Sequence, residues 1–416
     1  MKGTANKNSG TLGLIVLFNL LGFVLLALRS LPINFQALRL GLFISVIYIA
    51  VYILMKAFFK NCNFNIMFMI FTLTSISFIT LYRLNADTAI KQVQWFLIGI
   101  LVFFITIIFI QYIAEKLNNY FYILAALSII ILFSPLVVGV TRNGARNWIE
   151  FGSYTFQPSE LVKILFIFTS ASLLKDKKSI KELFPLMAFA LICMGILMME
   201  NDFGMMIIYF AIFIIMLYIG TSNIAYILGG LAAAASGGCL AYLYVSHIKV
   251  RIEAWLNPWA DATGKGYQIV QSLIAIGSGG WFGSGVGLGS PYVIPAAKTD
   301  FIFAAIAEEF GVLMALAVII MYLLIVYESM KIALEANSAF YSLLSAGSAS
   351  AIGLQAFIII GGVIKLIPLT GVTLPFVSYG GSSMLANFMI VGIVQGVASQ
   401  IVYQESVAKE RYGESY

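Results

Sequence analysis

An all-α polytopic membrane protein of about twelve transmembrane helices is the fold class that the sequence predicts, on three observations. Of the 416 residues, 61% are apolar or aromatic and only 10% are Asp, Glu, Lys or Arg, whereas a soluble domain carries about 25% charged residues. The apolar residues gather in runs near the roughly 20 residues that cross a bilayer as a helix. No segment alternates polar and apolar residues over the ~10 positions of a lipid-embedded barrel strand. An ordinary globular enzyme, a disordered chain and a collagen-like fibre are thereby excluded.

The runs lie at roughly 11–28, 37–58, 64–82, 93–113, 120–140, 159–174, 183–199, 203–220, 223–245, 301–327, 339–364 and 383–403. Each must be helical, because lipid offers no partner to open backbone groups. Lys2 and Lys7 precede the first run and no small-residue cleavage site follows it, so that helix is expected to be retained. The Gly/Ala-rich stretch 228–238 suits close helix packing in lipid. There is no tandem repeat and no soluble domain. Cys62, Cys193 and Cys239 lack CxxC spacing and read as small hydrophobes. A single histidine argues against a zinc centre.

Net charge is +6, from 24 Lys and Arg against 18 Asp and Glu. Without a clustered basic domain this points to anionic headgroups, not to nucleic acid. With a cytoplasmic N-terminus and an even number of spans, the C-terminus is cytoplasmic too. The basic residues then divide evenly between the two sides. The densest inside cluster, 175–181, lies in a short loop of the kind that sets orientation. Outside cations concentrate in two long segments, 141–158 and 246–300, as Arg142, Arg146, Lys249, Arg251, Lys265 and Lys298. Anionic-ligand binding is one reason for them.

Candidate chemistry lies along these segments. Asp300 stands just before the 301–327 run at the expected outer membrane edge. It reads either as a helix cap or as a general base whose pKa is raised in a half-dry site. Glu308 and Glu309 fall inside that run, with Glu308 about 12 Å deeper than Asp300 on nearly the same face. Pairing with a neighbouring helix, a proton or ion path, and support of the site are their three readings. Glu160 and Lys163, at i,i+3, can form an ion pair at a helix start marked by Pro158 and Ser159. Trp148 reads as an interfacial anchor, and Arg146 beside it as a fork for a lipid pyrophosphate. Asp202, next to Glu200, opens another span and reads as a cap. The glycine-dense stretch 277–289 follows no strand of a βαβ unit, so its G-x-G patterns do not make a dinucleotide site. On composition it reads as flexible outer loop.

Several blocks recur in a fixed order: GARNWI at 144–149, FQPSELVK at 156–163, Asn257-Pro258 with Asp261 and Gly264, GYQ at 266–268 leading to AIGSGG at 275–280, TDFIFA at 299–304 with Glu308-Glu309, PLTGV at 368–372 and LPFVSYGGSS at 374–383. Together, over roughly 64–403, they resemble the SEDS family, the FtsW/RodA/SpoVE group of bacterial cell-wall proteins. The resemblance implies a ten-span core, 63–405, preceded by two extra helices in 1–62 and followed by a cytoplasmic tail, 406–416. It implies polymerisation of lipid II into glycan strands at the outer face of the bacterial plasma membrane, for elongation, division or sporulation. It also implies a class B penicillin-binding transpeptidase as partner, and Asp300 as the essential residue. The family's Gln-Pro-Asp-x-Gly-Thr block reads Glu200-Asn201-Asp202-Phe203-Gly204-Met205 here, and its Pro-Glu-x-His-Thr-Asp lead-in reads Pro295-Ala296-Ala297-Lys298-Thr299-Asp300. A common Asn and a common Gly are Ile359 and Lys365.

The expected reaction is an inverting glycosyl transfer from an undecaprenyl-pyrophosphate-linked glycan to the GlcNAc 4-hydroxyl of lipid II, with Asp300 as base. Arg146, Trp148, Glu160, Lys163, Asp202, Lys298 and Ser378 form the expected substrate-binding set. Of these, Arg146, Lys163 and Lys298 face the leaving pyrophosphate. No cofactor is obligatory, although a divalent cation (Mg or Mn) suits the chemistry. A lipid-precursor flippase and a non-catalytic scaffold for the transpeptidase are the alternatives.

Overall fold

The computed structural model describes residues 2–29, 32–59, 62–142, 144–152, 154–176 and 180–412. Lys60, Lys177 and Lys178, all on the expected cytoplasmic side, lie outside the described residues, as do positions 413–416 of the expected tail. Twelve helices stand where the apolar runs are: α1 (Lys2–Leu28), α2 (Phe35–Phe58), α3 (Phe64–Leu84), α4 (Ala86–Tyr112), α6 (Phe121–Val138, after the short α5, Ala114–Leu117), α7 (Pro158–Leu174), α8 (Ile180–Met199), α9 (Phe203–Thr221), α10 (Ala225–Tyr244), α13 (Ile302–Glu335), α14 (Ala339–Val363) and α15 (Gly381–Tyr412). Eleven helices among the described residues are long and apolar enough to cross a membrane. The twelfth, α7, has 17 residues, about 25 Å of helix, and is buried inside the protein along nearly its whole length.

The helix starts follow from side chains that cap them. Asn34, Asn63, Asn85, Asp202 and Ser338 each accept an N–H of the first turn of α2, α3, α4, α9 and α14, satisfying donors that the helix cannot. α3, α7, α14 and the apolar part of α15 form the centre. α4 lies along α15, and the α1–α2 hairpin packs on α3. Aromatic edges knit this centre, with Phe388 meeting Phe96, Phe103 and Phe376 edge-to-face. α10 stands at the margin and is almost entirely exposed. Cys239 is exposed on it, while Cys62 and Cys193 are buried.

Neither long segment expected on the outer side is unstructured. Residues 140–156 make a three-stranded antiparallel sheet in the order β1 (Val140–Arg142), β2 (Ala145–Phe151) and β3 (Tyr154–Phe156). A sheet here is an addition to the all-helical expectation. Beyond the lipid, backbone groups can pair between strands as well as within a helix. The 246–300 segment folds into α11 (Ser246–Leu256) and α12 (Tyr267–Gly279) before running back to α13.

That return corrects the reading of 301–327 as one unbroken helix. At Gly311 the backbone is non-helical, with φ 84° and ψ 170°. Residues 280–285 insert at this break. Val312 and Leu313 donate to the Gly280 and Trp281 carbonyls, while Ser284 and Gly285 donate to the carbonyls of Glu308 and Glu309. Glu308 and Glu309 therefore belong to a short first piece of α13, not to a continuous span below Asp300. Glu309 pairs with Arg83 of α3 at 3.1 Å, and Glu308 Oε1 accepts the Ser290 N–H at 2.7 Å. Asp300 precedes the helix, which begins at Ile302.

A Cβ at Gly311 would meet Phe282 C at 2.6 Å and force a backbone angle that other residues avoid. Gly311→Ala should lower stability by about 2 kcal/mol or more, read as a lower thermal midpoint in detergent. At Gly353 the added Cβ meets chiefly the movable Val326 side chain, and Gly353→Ala should have a clearly smaller effect. Equal midpoints for the two would contradict this account of the break.

Candidate active site

The segment 364–380, between α14 and α15, holds the residues around Asp300 in place. Ser378 Oγ donates to the Thr299 carbonyl at 2.5 Å and accepts the Leu374 N–H at 2.9 Å. Tyr379 N–H donates to the Lys298 carbonyl at 2.9 Å. The 377–380 turn is tied down in its own right: Ser77 Oγ donates to the Val377 carbonyl, and Gln92 bonds the Ser378 carbonyl and the Gly380 N–H. The backbone just before Asp300 is thus fixed, through the 377–380 turn, to α3 and α4, as a residue poised for proton transfer requires.

Burial pushes the Asp300 carboxyl above the ordinary carboxylate range, outweighing the Thr299 hydroxyl and the Arg251 guanidinium, which pull it down. Arg251, on α11, donates to the carbonyls of Leu369 and Thr370 at 3.3 and 3.0 Å. It also lies within electrostatic reach of both Asp300 and Asp202. Burial lowers its pKa, yet a guanidinium stays charged in a protein. Arg251 sits on the wall of a cavity of about 720 Å³ otherwise lined by apolar side chains of α9, α10 and α11, among them Phe203, Phe210, Ile248 and Ile252, and by Ile367–Thr370. Arg251 thus links the two, within the field of Asp300 and on the wall of the cavity.

A second polar centre lies beside the first. Asp202 caps α9 through the Met205 N–H, and its Oδ2 accepts from Asn147 at 2.6 Å, Gln157 at 2.9 Å and Ser159 at 3.4 Å. Glu160 and Lys163 pair at 2.8 Å inside the protein, and Lys163 Nζ also donates to Gln355 Oε1 at 2.6 Å. Gln355 bonds Thr373, and Thr373 bonds Ser383 at 2.7 Å. A buried charge pair is tolerated only with such additional hydrogen bonds. Glu200 is fully buried, and its carboxyl oxygens have no hydrogen-bond partner among the described residues. Burial first, and Asp202 second, push its carboxyl up to about 9. It is therefore neutral at pH 7, the charge state of the glutamine it replaces in the family block.

Of the expected set, Asp300, Ser378, Asp202, Glu160 and Lys163 line or support this region. Lys298 is half-buried and its Nζ turns toward the Thr88 hydroxyl at 3.4 Å. Arg146 is exposed on β2, where its guanidinium closes the end of α6 by donating to the carbonyls of Val137 and Gly139. Trp148 stays in the sheet, with the Arg142 guanidinium over its ring at 6.0 Å. Sequence reasoning passed over Arg251 among six outer cations. Its signal was present in the Ile248, Arg251, Ile252 spacing, which puts one cation on an apolar helix face. Asn147, Gln157 and Gln355 carried no comparable signal.

The chain is similar to known proteins over most of its length. The sequence model of the FtsW/RodA/SpoVE family, described as a cell cycle protein, matches residues 52–402. The peptidoglycan glycosyltransferase RodA of Mycobacterium tuberculosis is 34% identical over 330 residues, covering 75% of this chain and 70% of that protein. Stage V sporulation protein E of Bacillus subtilis is 36% identical over 268 residues, covering 63% of this chain and 73% of its own length. Among solved structures, a chain of a peptidoglycan synthase complex that coordinates polymerization and crosslinking superposes with a TM-score of 0.69 at 26% identity, covering 85% of this chain and 99% of that one. Thermus thermophilus RodA gives a TM-score of 0.61 at 23% identity, with 85% and 98% covered, a likeness of fold.

A carboxyl neutral in the fold up to about 9 but ionised in the unfolded chain above its ordinary 4.5 makes the folded state hold more protons across that window. Stability then falls as pH rises through it. Glu200→Gln removes this dependence. The variant should unfold at a higher temperature than the parent at pH 8, with the gap closing toward pH 5. A pH-independent gap would contradict the neutral Glu200.

Proposed function

The chain belongs to the FtsW/RodA/SpoVE family, and from that premise we propose how its outer polar centre carries out glycan synthesis. The protein is a multi-pass membrane peptidoglycan glycosyltransferase that polymerises lipid II into glycan strands. Asp300 is the general base. It takes the proton of the acceptor's 4-hydroxyl as that oxygen bonds to the donor's anomeric carbon. The carbon–oxygen bond to pyrophosphate breaks, and the leaving group departs with the electron pair and an added negative charge. Inversion at carbon follows from attack opposite the leaving group. Arg251 receives the pyrophosphate, since a fixed cation aimed at developing charge in a dry site stabilises it strongly. The undecaprenyl chain occupies the 720 Å³ cavity beneath.

One observation carries this reading: a half-buried carboxyl with a raised pKa lies within electrostatic reach of an arginine, and that arginine lines an apolar cavity. The substrate has the same three parts, a sugar hydroxyl, a pyrophosphate and a long hydrocarbon tail. Lys163 and Glu160 hold the Gln355–Thr373 turn instead of contacting the leaving group, and Lys298 serves the acceptor side. Mg or Mn could ride on the pyrophosphate oxygens. Near Asp300 the chain supplies one carboxylate, and among the described residues no three His, Cys, Asp or Glu side chains converge. These residues do not fit a resident metal, so no step is derived through one. By likeness to the synthase complex, a class B penicillin-binding transpeptidase is the partner that crosslinks the strands. Both termini are cytoplasmic in this arrangement.

Asp300→Ala should reduce glycan synthesis from fluorescent lipid II by about 10²–10⁴-fold in protein that remains folded. In the parent, kcat/KM should rise with pH as Asp300 loses its proton, with an acid limb above the ~3.9 of an ordinary aspartate. Arg251→Gln withdraws a cation that favours the carboxylate, so the limb should move to higher pH. Parent-like polymerisation by Asp300→Ala, or an unmoved limb in Arg251→Gln, would overturn the assignment.

A further inference from the structure

The family match begins at residue 52, so α1 and most of α2 lie outside it and the shared chemistry does not explain them. The two helices are firmly joined. Asn19 donates to the Gly41 carbonyl at 2.8 Å and to Ser45 Oγ at 3.0 Å inside the hairpin. The hairpin is tied to α3 as well. Tyr48 OH bonds Thr74 at 2.8 Å, Phe23 meets the Tyr82 ring edge-on, and Tyr82 OH donates to Asn34 Oδ1 at 3.3 Å. Such hydrogen bonds fix helix against helix where lipid gives no hydrophobic drive.

The outer end of this hairpin reaches the chain that leads to Asp300. Gly287 holds a φ of +83°, and a Cβ there would lie 2.7 Å from Arg29 Cδ and 3.1 Å from Arg29 Cζ. The guanidinium is therefore packed on the Gly287 backbone, in space that only glycine leaves open. Beside it, Arg83 donates to the carbonyls of Gly287 and Gly289 at 3.3 and 3.2 Å and to Glu309 at 3.1 Å. Glu309 feels the fields of both Arg83 and Arg29. The 287–290 turn is thus gripped from α3 by Arg83, from α13 by Glu308 through Ser290, and from the N-terminal hairpin by Arg29. Ten residues later the same chain presents Asp300.

We propose that the two N-terminal helices are an intramolecular brace for the outer segment, acting through Arg29 on the Gly287 turn, and that Arg29 is a positioning residue for glycan polymerisation. It touches neither substrate nor Asp300. It narrows the places the 287–300 chain can occupy, and so acts on the alignment of the base. This rests on the reading of Asp300 given above.

The test uses the full-length protein in nanodiscs, with Arg29→Ala, Arg29→Lys and Gly287→Ala. Arg39→Ala, an exposed arginine of the same hairpin, is the control. Hydrogen exchange over 283–290 should quicken about tenfold in Arg29→Ala and Gly287→Ala and stay parent-like in Arg39→Ala. Because small misplacements at a reacting centre act on the chemical step, kcat should fall roughly tenfold with the lipid II KM within about twofold. Arg29→Lys should recover part of it. Unchanged exchange in Arg29→Ala, or faster exchange with parent kcat, overturns the proposal. A parent that makes no glycan would instead refute the enzymatic reading, and the positioning role with it, while the exchange data still decide the brace.

Discussion

A carboxylate held away from water is unfavourable unless charge or hydrogen bonds replace what water gave it. That constraint governs the end of this protein where Asp300 lies. At Asp300 the replacement is partial, through Thr299 and Arg251, and burial still prevails. A base left so is reactive, provided that it cannot move. Immobility comes from elsewhere: Ser378 and Tyr379 clamp the residues beside it, and Gln92 and Ser77 hold the clamp.

The neighbouring acids meet the same constraint by different means. Asp202 is surrounded by donors, Glu160 has Lys163, and Glu200 has neither and stays protonated. Satisfied carboxylates can serve as structure, because their charge is already used. Asp300, half-buried and within the field of Arg251, is the carboxylate placed to meet a substrate.

The helices were legible because lipid imposes one length and one backbone geometry, and the apolar runs record both. Glu160 and Lys163 were legible as a pair because i,i+3 spacing acts within one helix. What lay hidden depends on distant partners. Gln355, 192 residues from Lys163, has no local mark of its role. The strands of 140–156 are too short to show a period. Gly311 looks like any glycine in an apolar run until residues 280–285 are seen inserting there. Arg146 has the fork that a pyrophosphate needs, yet the α6 carbonyls occupy it. Arg251 was visible on its helix face, but only the fold brings it within electrostatic reach of Asp300.

Between α9 and α10 the cavity gives the hydrocarbon part of a substrate somewhere to go while its polar end stays with Arg251. The central claim is this placement, and the most direct measurement is a structure of the protein with undecaprenyl pyrophosphate bound in nanodiscs. The account predicts pyrophosphate density against the Arg251 guanidinium, within reach of Asp300, and prenyl density running along Phe203, Phe210 and Ile252. Pyrophosphate bound at Arg146 or Lys298, with the cavity beside Arg251 empty of the lipid, would contradict it.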